Sequence, residues 1–229
     1  MNKDVIIACD FNDKEHFFKF INIFENEKPF LKIGYQLFYS EGIELIKQLK
    51  EKGYKIFLDL KLHDIPNTVE HGIKSLVKLN VDFITVHAAG GIQMMELAVK
   101  ATKNTQTKIL AVTQLTSTSQ KMLEDELLID RKISDVVNRY AVNALNAGVY
   151  GIVCSAQESK YTKEKISNNL ITVCPGIRLD KKQTDDQSRV MTPIEAKHNF
   201  ADYIVVGRPI TNSSNPLETY LKIKKDFLG

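Results

Sequence analysis

Eight short apolar runs recur along the chain, and longer stretches with apolar residues at helical spacing separate them. Most of the runs are continuously apolar rather than alternating, which is typical of parallel strands that are buried on both faces. The predicted strands are residues 5–9, 30–34, 55–60, 83–88, 108–113, 151–156, 170–175 and 203–207. We therefore expect a parallel sheet whose strands alternate with helices.

The stretches between these runs carry helix signals. Residues 69–77 place apolar side chains at positions i, i+4, i+7 and i+8, which lie on one face of a helix. Ser134 is predicted to cap a helix that ends just before Gly148. Asn215 and Pro216 are predicted to begin the last helix as its cap and its first residue.

This order of strands and helices predicts one closed (β/α)8 TIM barrel, a single domain that spans residues 1–229. No linker rich in proline, glycine or serine divides the chain, and its length suits a compact form of a fold that usually needs about 250 residues. A doubly wound sheet is the structural alternative. No GxGxxG motif follows the first strand, which counts against a dinucleotide-binding sheet.

Charge and cysteine usage narrow the classes of partner. The net charge of +3 is too mild and too evenly spread to indicate binding to nucleic acid. Cys9, Cys154 and Cys174 are scattered through apolar runs, so we interpret them as buried free thiols in a reducing compartment. No signal-peptide pattern and no run of about 18 apolar residues is present. We expect a cytoplasmic protein with no nucleic-acid or membrane partner.

Charged side chains lie where a barrel carries out chemistry, at the carboxyl ends of the predicted strands. Asp59 and Lys61 are two residues apart on one strand, so their side chains point the same way. Asp64 adds a second carboxylate, and a lysine between two carboxylates stays protonated, which suits a proton donor. The alternative is a solvated salt bridge, with Asp64 facing the start of the helix near Pro66. Lys32 is harder to explain structurally, because an unpaired buried lysine is rare.

The end of the last strand is a candidate phosphate site. Gly207 and Arg208 follow this strand, where barrels often bind phosphate with backbone N–H groups and a helix N-terminus. Arg208 either adds a bidentate fork for phosphate oxygens or is a surface arginine at a helix start. Residues 177–191 form a long charged stretch that is predicted to be exposed; as a functional lid, it would let Gln187 reach a bound ligand. The histidines show no metal-ligand spacing, and His87 is interpreted as structural.

The run DLKLHDIPNTV at 59–69 resembles the signature of bacterial-type orotidine 5'-phosphate decarboxylases. The resemblance covers the whole chain and shows no departure at the functional positions of that family. The other matching segments, in order, are VIIACDF, FLKIGYQLF, VTQLTS at 112–117, CPGIR at 174–178 and VVGRPI at 205–210.

The resemblance implies conversion of orotidine 5'-monophosphate to uridine 5'-monophosphate, without a metal or any other cofactor. Asp59, Lys61 and Asp64 would form the catalytic array, in which Lys61 gives the proton to C6. Asp10 and Lys32 would contact the ribose and complete the charged network. This assignment suits the chemistry, because loss of CO2 from C6 leaves a carbanion that no ring carbonyl is placed to delocalise. A fixed ammonium group can stabilise such an anion and then protonate it.

The resemblance also implies a homodimer with shared active sites. Asp64 and Thr68 would reach into the site of the neighbouring subunit, and Thr116 would contact the pyrimidine. The implied phosphate and lid contacts are Arg178, Gln187, Gly207 and Arg208.

Two other functions are compatible with parts of this pattern. Magnesium-dependent sugar-phosphate decarboxylases and hexulose-phosphate synthases of the same superfamily share the DxKxxD pattern, but they carry an acidic residue where this chain has Lys32. A cation at that position argues against a divalent metal. A non-catalytic barrel that binds a phosphate ligand is the second alternative, and the acid–lysine array argues against it.

Overall fold

The structure is a computed structural model and describes residues 3–179 and 190–229. Its parallel strands close into a barrel in which each strand pairs with the next and the last pairs with the first. This closure confirms the predicted (β/α)8 barrel and excludes the doubly wound sheet. The strands are β1 (Asp4–Cys9), β2 (Phe30–Ile33), β3 (Ile56–Leu62), β4 (Phe83–His87), β5 (Lys108–Val112), β6 (Gly151–Val153), β7 (Ile171–Cys174) and β8 (Tyr203–Val206).

Helices surround the barrel in the described ranges. None of these helices is long and apolar enough to cross a membrane. They are α1 (Lys14–Ile21), α2 (Tyr35–Glu51), α3 (Pro66–Leu76), α4 (Gly91–Ala101), α5 (Ile133–Asn146), α6 (Ala156–Tyr161), α7 (Pro193–His198), α8 (Arg208–Thr211) and α9 (Pro216–Leu228).

The helix ends that were predicted at Gly148 and Asn215 are confirmed, whereas the predicted cap of α5 is wrong. Its predicted cap, Ser134, lies inside the helix, which begins at Ile133. The side chain of Gln120 accepts a hydrogen bond from the Ile133 N–H at 2.9 Å, so a residue from the preceding segment caps this helix end. Gly148 follows the helix with a φ of +71°, as expected, and Asn215 caps α9.

Two apolar cores result from the alternation of side chains along the strands. The larger core fills the space between the barrel and the helices, and the smaller one fills the barrel interior. Phe30, Phe83 and Tyr203 are the first residues of their strands, and their rings pack at centroid distances of 5.1–6.2 Å. Aromatic rings therefore fill the barrel at the amino ends of the strands, and open space remains at the carboxyl ends.

Candidate active site

A cavity of about 500 Å³ opens at the carboxyl ends of the strands. This volume lies in the range of small-molecule sites. The predicted site residues that line it are Asp10, Lys32, Asp59, Lys61, Thr116, Arg178, Gly207 and Arg208. The barrel thus brings together residues that are up to 198 positions apart in the chain, because parallel strands present all their carboxyl ends at one face.

Four side chains form a charged array along the cavity wall: Asp10, Lys32, Asp59 and Lys61. The Lys32 Nζ lies 3.5 Å from Asp10 Oδ1 and 3.4 Å from Asp59 Oδ2. The Lys61 Nζ lies 3.0 Å from both carboxylate oxygens of Asp59. Negative and positive groups therefore alternate, and Asp59, only 7% exposed, contacts both lysines. Within this chain the lysine between two carboxylates is Lys32, whereas the sequence suggested Lys61.

Burial and neighbouring charges act in opposite directions on the array. Burial alone would raise the pKa of the Asp59 carboxyl, but the ammonium groups of Lys32 and Lys61 outweigh it and hold that pKa below its usual value. Burial alone would lower the pKa of Lys32, but the carboxylates of Asp59 and Asp10 outweigh it and hold that pKa above its usual value. Asp59 and Lys32 are therefore both charged at neutral pH.

The strand that carries Asp59 and Lys61 is irregular. Between Leu58 and Leu62, β3 advances by four residues while its partner β4 advances by two. Lys61 adopts a φ of +41°, in the left-handed region that lysine rarely occupies. The predicted contact between Asp59 and Lys61 is confirmed. A bulged strand produces it, however, and not the regular two-residue repeat from which it was predicted.

Asp64 and Thr68 do not line the cavity of their own chain. Both are exposed, and the Asp64 carboxylate accepts a hydrogen bond from the N–H of Ile65 at 2.6 Å, next to the first residue of α3. The interpretation of Asp64 as a second carboxylate beside Lys61 within one chain is therefore wrong. Asp64 lies outside the cavity because the chain leaves the barrel after Leu62 and enters α3 at Pro66.

Another part of the cavity wall carries the candidate phosphate-binding residues. Gly207 is the residue before α8, and Arg208 begins this short helix, as predicted. Arg178 is buried, and its guanidinium donates a hydrogen bond to the carbonyl of Ile177 at 2.9 Å. Gln187 lies outside the described residues. The two ends of the predicted lid meet, because Arg178 N–H donates to the Met191 carbonyl at 2.9 Å.

Sequence reasoning missed several contributors to the site. Thr85 on β4 donates a hydrogen bond to Asp59 and accepts one from the backbone N–H of Lys61. The ring of Tyr35 faces the Lys61 ammonium, with 5.6 Å between Nζ and the ring centroid. The sequence did contain a signal that could have pointed to Thr85, namely a hydroxyl side chain inside the apolar run FITVH. The cavity lining also includes Gln114, Leu115, Ser117, Val153 and Cys154.

The histidines near the cavity have structural contacts. His87 Nδ1 accepts a hydrogen bond from the Ala89 N–H at 3.2 Å, and its ring stacks on His63. Burial, then the neighbouring His63 and Lys61, lower the pKa of His87. This agrees with the structural interpretation of His87. Across residues 3–179 and 190–229, no three or more His, Cys, Asp and Glu side chains form a group that could hold a metal ion.

Comparisons with known proteins give a consistent result. A family model described as "Orotidine 5'-phosphate decarboxylase / HUMPS family" matches residues 3–223. The orotidine 5'-phosphate decarboxylase of Malacoplasma penetrans (strain HF-2) is 49% identical over 229 residues, which cover 99% of each chain. The protein of the same name from Staphylococcus aureus (strain Mu3) is 50% identical over 225 residues, which cover 97% of each chain.

Solved structures share the whole fold. The crystal structure of orotidine 5'-phosphate decarboxylase from Lactobacillus acidophilus is 40% identical in sequence, with a TM-score of 0.90 and full coverage of both chains. An uncharacterized conserved protein from Geobacillus kaustophilus is 38% identical, with a TM-score of 0.86, over 97% of this chain and 99% of that one. With the closed barrel, these matches show that the chain belongs to the orotidine 5'-phosphate decarboxylase / HUMPS family.

Proposed function

We propose that this chain, as one domain of residues 1–229, decarboxylates orotidine 5'-monophosphate to uridine 5'-monophosphate in pyrimidine biosynthesis. The observation that carries the proposal is the charged array, in which two ammonium groups flank the buried carboxylate of Asp59 at the cavity wall. Relatives about half identical over nearly the full length carry the name of this activity. A cytoplasmic location is part of the proposal, supported by three buried free cysteines in the described residues.

In the proposed mechanism, the site stabilises the carbanion left at C6 when CO2 departs. We assign this task to Lys61, whose ammonium group lines the cavity and is held by Asp59. A fixed charge in a site shielded from water stabilises a developing anion more strongly than the same charge in water. Lys61 then donates a proton to C6. Asp10 and Lys32 complete the array and, in this proposal, contact the ribose.

The remaining assignments place the substrate along the cavity. Thr116 lines the side assigned to the pyrimidine. Gly207, Arg208 and Arg178 line the side assigned to the phosphate, where two guanidinium groups offer charge-assisted hydrogen bonds. Gln187, in the segment between Arg178 and Met191, is proposed to join them when the substrate binds.

A homodimer with shared sites is part of the proposal. Asp64 and Thr68 are exposed and lie outside their own cavity, so they are available to the site of a second copy. Apolar side chains are also exposed: Ile65, next to Asp64, is 68% exposed, and Tyr39, which stacks on Tyr35, is 72% exposed. A carboxylate from the partner's Asp64 would then extend the charged array beyond Lys61.

The array also supports a reaction without a metal ion. The carboxylates that line the cavity, Asp10 and Asp59, are both paired with the ammonium group of Lys32. A divalent cation at this point would have to displace that ammonium group against its repulsion. The magnesium-dependent sugar-phosphate branch is therefore the less favoured function.

The test is release of CO2 from orotidine 5'-monophosphate by the purified protein, before and after exhaustive treatment with EDTA. We expect equal activity in both samples. Loss of activity that magnesium restores would assign the protein to the sugar-phosphate branch. Binding of orotidine 5'-monophosphate without release of CO2 would indicate a non-catalytic binding barrel.

A further inference from the structure

A single buried hydroxyl joins the two central residues of the charged array. Thr85 lies on β4, the neighbour of β3, and is 0% exposed. Its Oγ1 donates a hydrogen bond to Asp59 Oδ1 at 3.0 Å and accepts one from the backbone N–H of Lys61 at 2.8 Å. The hydroxyl therefore contacts the carboxylate of one residue and the backbone of the other.

This contact coincides with the irregular part of β3. The bulge between Leu58 and Leu62 interrupts the regular pairing with β4, and Lys61 has a left-handed φ of +41°. A residue other than glycine keeps such a conformation only where its surroundings hold it there. The Thr85 hydroxyl provides a hydrogen-bond partner for the Lys61 N–H at the point where the bulge disrupts the ladder.

We propose that Thr85 is a positioning residue that holds the bulge of β3 so that the Lys61 ammonium and the Asp59 carboxylate keep their mutual geometry in the cavity. This inference rests on the proposed decarboxylase function. Thr85 does not line the cavity and so acts through its two neighbours. Misplacement of a catalytic group by about 1 Å can slow a reaction by about 100-fold.

Threonine suits this place because its hydroxyl donates and accepts at the same time. Valine has nearly the same shape but lacks both functions, so Thr85→Val leaves the Lys61 N–H without its present partner. Serine keeps the hydroxyl and loses only a methyl group. The pair of variants Thr85→Val and Thr85→Ser therefore separates the hydrogen bonds from the packing.

Thr107 offers a matched control at the other end of the barrel. Its hydroxyl is equally buried and donates one hydrogen bond, to the Val81 carbonyl at 2.7 Å, before β5 begins. Thr107→Val therefore removes a buried hydroxyl without touching the charged array. Any general effect of such a loss on folding should appear in both valine variants.

The first measurement is steady-state decarboxylation by the wild type and the three variants. For Thr85→Val we expect kcat to fall by about 10- to 100-fold, while KM changes by less than about threefold because the phosphate contacts remain. Thr85→Ser should recover most of the loss, and Thr107→Val should keep the wild-type kcat. A kcat for Thr85→Val equal to that of Thr107→Val would overturn the proposal, as would a Thr85→Ser variant as slow as Thr85→Val.

The second measurement does not depend on activity. Amide hydrogen exchange of Lys61, followed by NMR, should become about tenfold faster in Thr85→Val than in Thr107→Val. Unchanged exchange at Lys61 would overturn the positioning role even if the enzyme were slower. If the wild type released no CO2, the decarboxylase function would be overturned. If Lys61 exchange were nevertheless faster in Thr85→Val than in Thr107→Val, the role of Thr85 in holding the bulge would still be supported.

Discussion

Asp59 and Lys61 are in contact and share the same cavity wall, yet their substitution should have different consequences. Lys61 is the proposed proton donor, so its loss should mainly affect the reaction. Asp59 is the buried carboxylate between two ammonium groups, so its loss also leaves Lys32 and Lys61 to repel each other. Activity and stability measurements together therefore distinguish the two roles.

For Lys61→Ala we expect decarboxylation to fall by several orders of magnitude, because the variant loses both the local cation and the proton source. A proton donor alone contributes about 10²- to 10⁴-fold. The assay is single-turnover release of CO2, with Lys222→Ala, an exposed lysine of α9, as the control that should remain fully active. Retention of more than about a tenth of the wild-type single-turnover rate constant would exclude Lys61 as the central residue.

Asp59 gives a prediction on pH and stability. Its pKa is lower in the folded protein than the usual value of 3.8, so its charge contributes stability above that value, and the contribution is lost as the pH falls through the folded pKa. Below about pH 4 the free energy of unfolding should therefore fall more steeply for the wild type than for Asp59→Asn. Urea unfolding of both proteins from pH 7 to pH 3 measures this difference. Parallel curves would show that the carboxylate has the same pKa folded and unfolded.

Among the strands and helices, the segment from β8 to α8 and Arg178, near the start of the 177–191 stretch, line the part of the cavity that we assign to the phosphate. Arg208 is exposed at this point, where solvent and a bound ligand can reach its side chain. The phosphate takes no part in bond breaking, so its binding energy can act only by organising the site around the reacting ring. Remote binding energy of this kind appears in kcat as well as in KM.

Arg208→Ala should therefore lower kcat/KM for orotidine 5'-monophosphate at least about tenfold, because a charge-assisted hydrogen bond contributes about 1.5–3 kcal/mol. Turnover of orotidine, which lacks the phosphate, should be slow in both proteins and almost unaffected by the substitution. The measurement compares two enzymes with two substrates. An equal loss for both substrates would mean that Arg208 supports the barrel or the charged array instead.

At the scale of the whole molecule, the proposed homodimer gives Asp64 its role. Asp64 lies outside the cavity of its own chain, so in the proposed dimer the Asp64 carboxylate beside Lys61 comes from the second copy. The proposed dimer therefore completes a site that one chain leaves partial.

Mixing inactive Lys61→Ala with inactive Asp64→Ala should restore activity. Each heterodimer would contain one site with both defects and one intact site, so random exchange should return about a quarter of wild-type activity. The mixture is assayed after subunit exchange has been verified by mass spectrometry of differently labelled copies. If exchange is complete and no activity returns, each site draws its residues from one chain.

The sequence by itself determined the order of the strands, the end of α5, the start of α9 and the residue types of the site. Buried parallel strands require unbroken apolar runs, and a helix needs a cap and an apolar face, so both signals are local. The charged residues at the strand ends could also be identified from the sequence. Lys32, for example, lies inside an apolar strand, where an unpaired lysine is rare.

Only the tertiary structure decided how these residues meet. Closure of the barrel depends on pairing between β1 and β8, which no local pattern contains. The left-handed Lys61 and its contact with Thr85 depend on how β3 lies against β4, and Gln120 caps α5 across a loop. These features are contacts between segments that are distant in sequence, so their free energy exists only once the chain has folded.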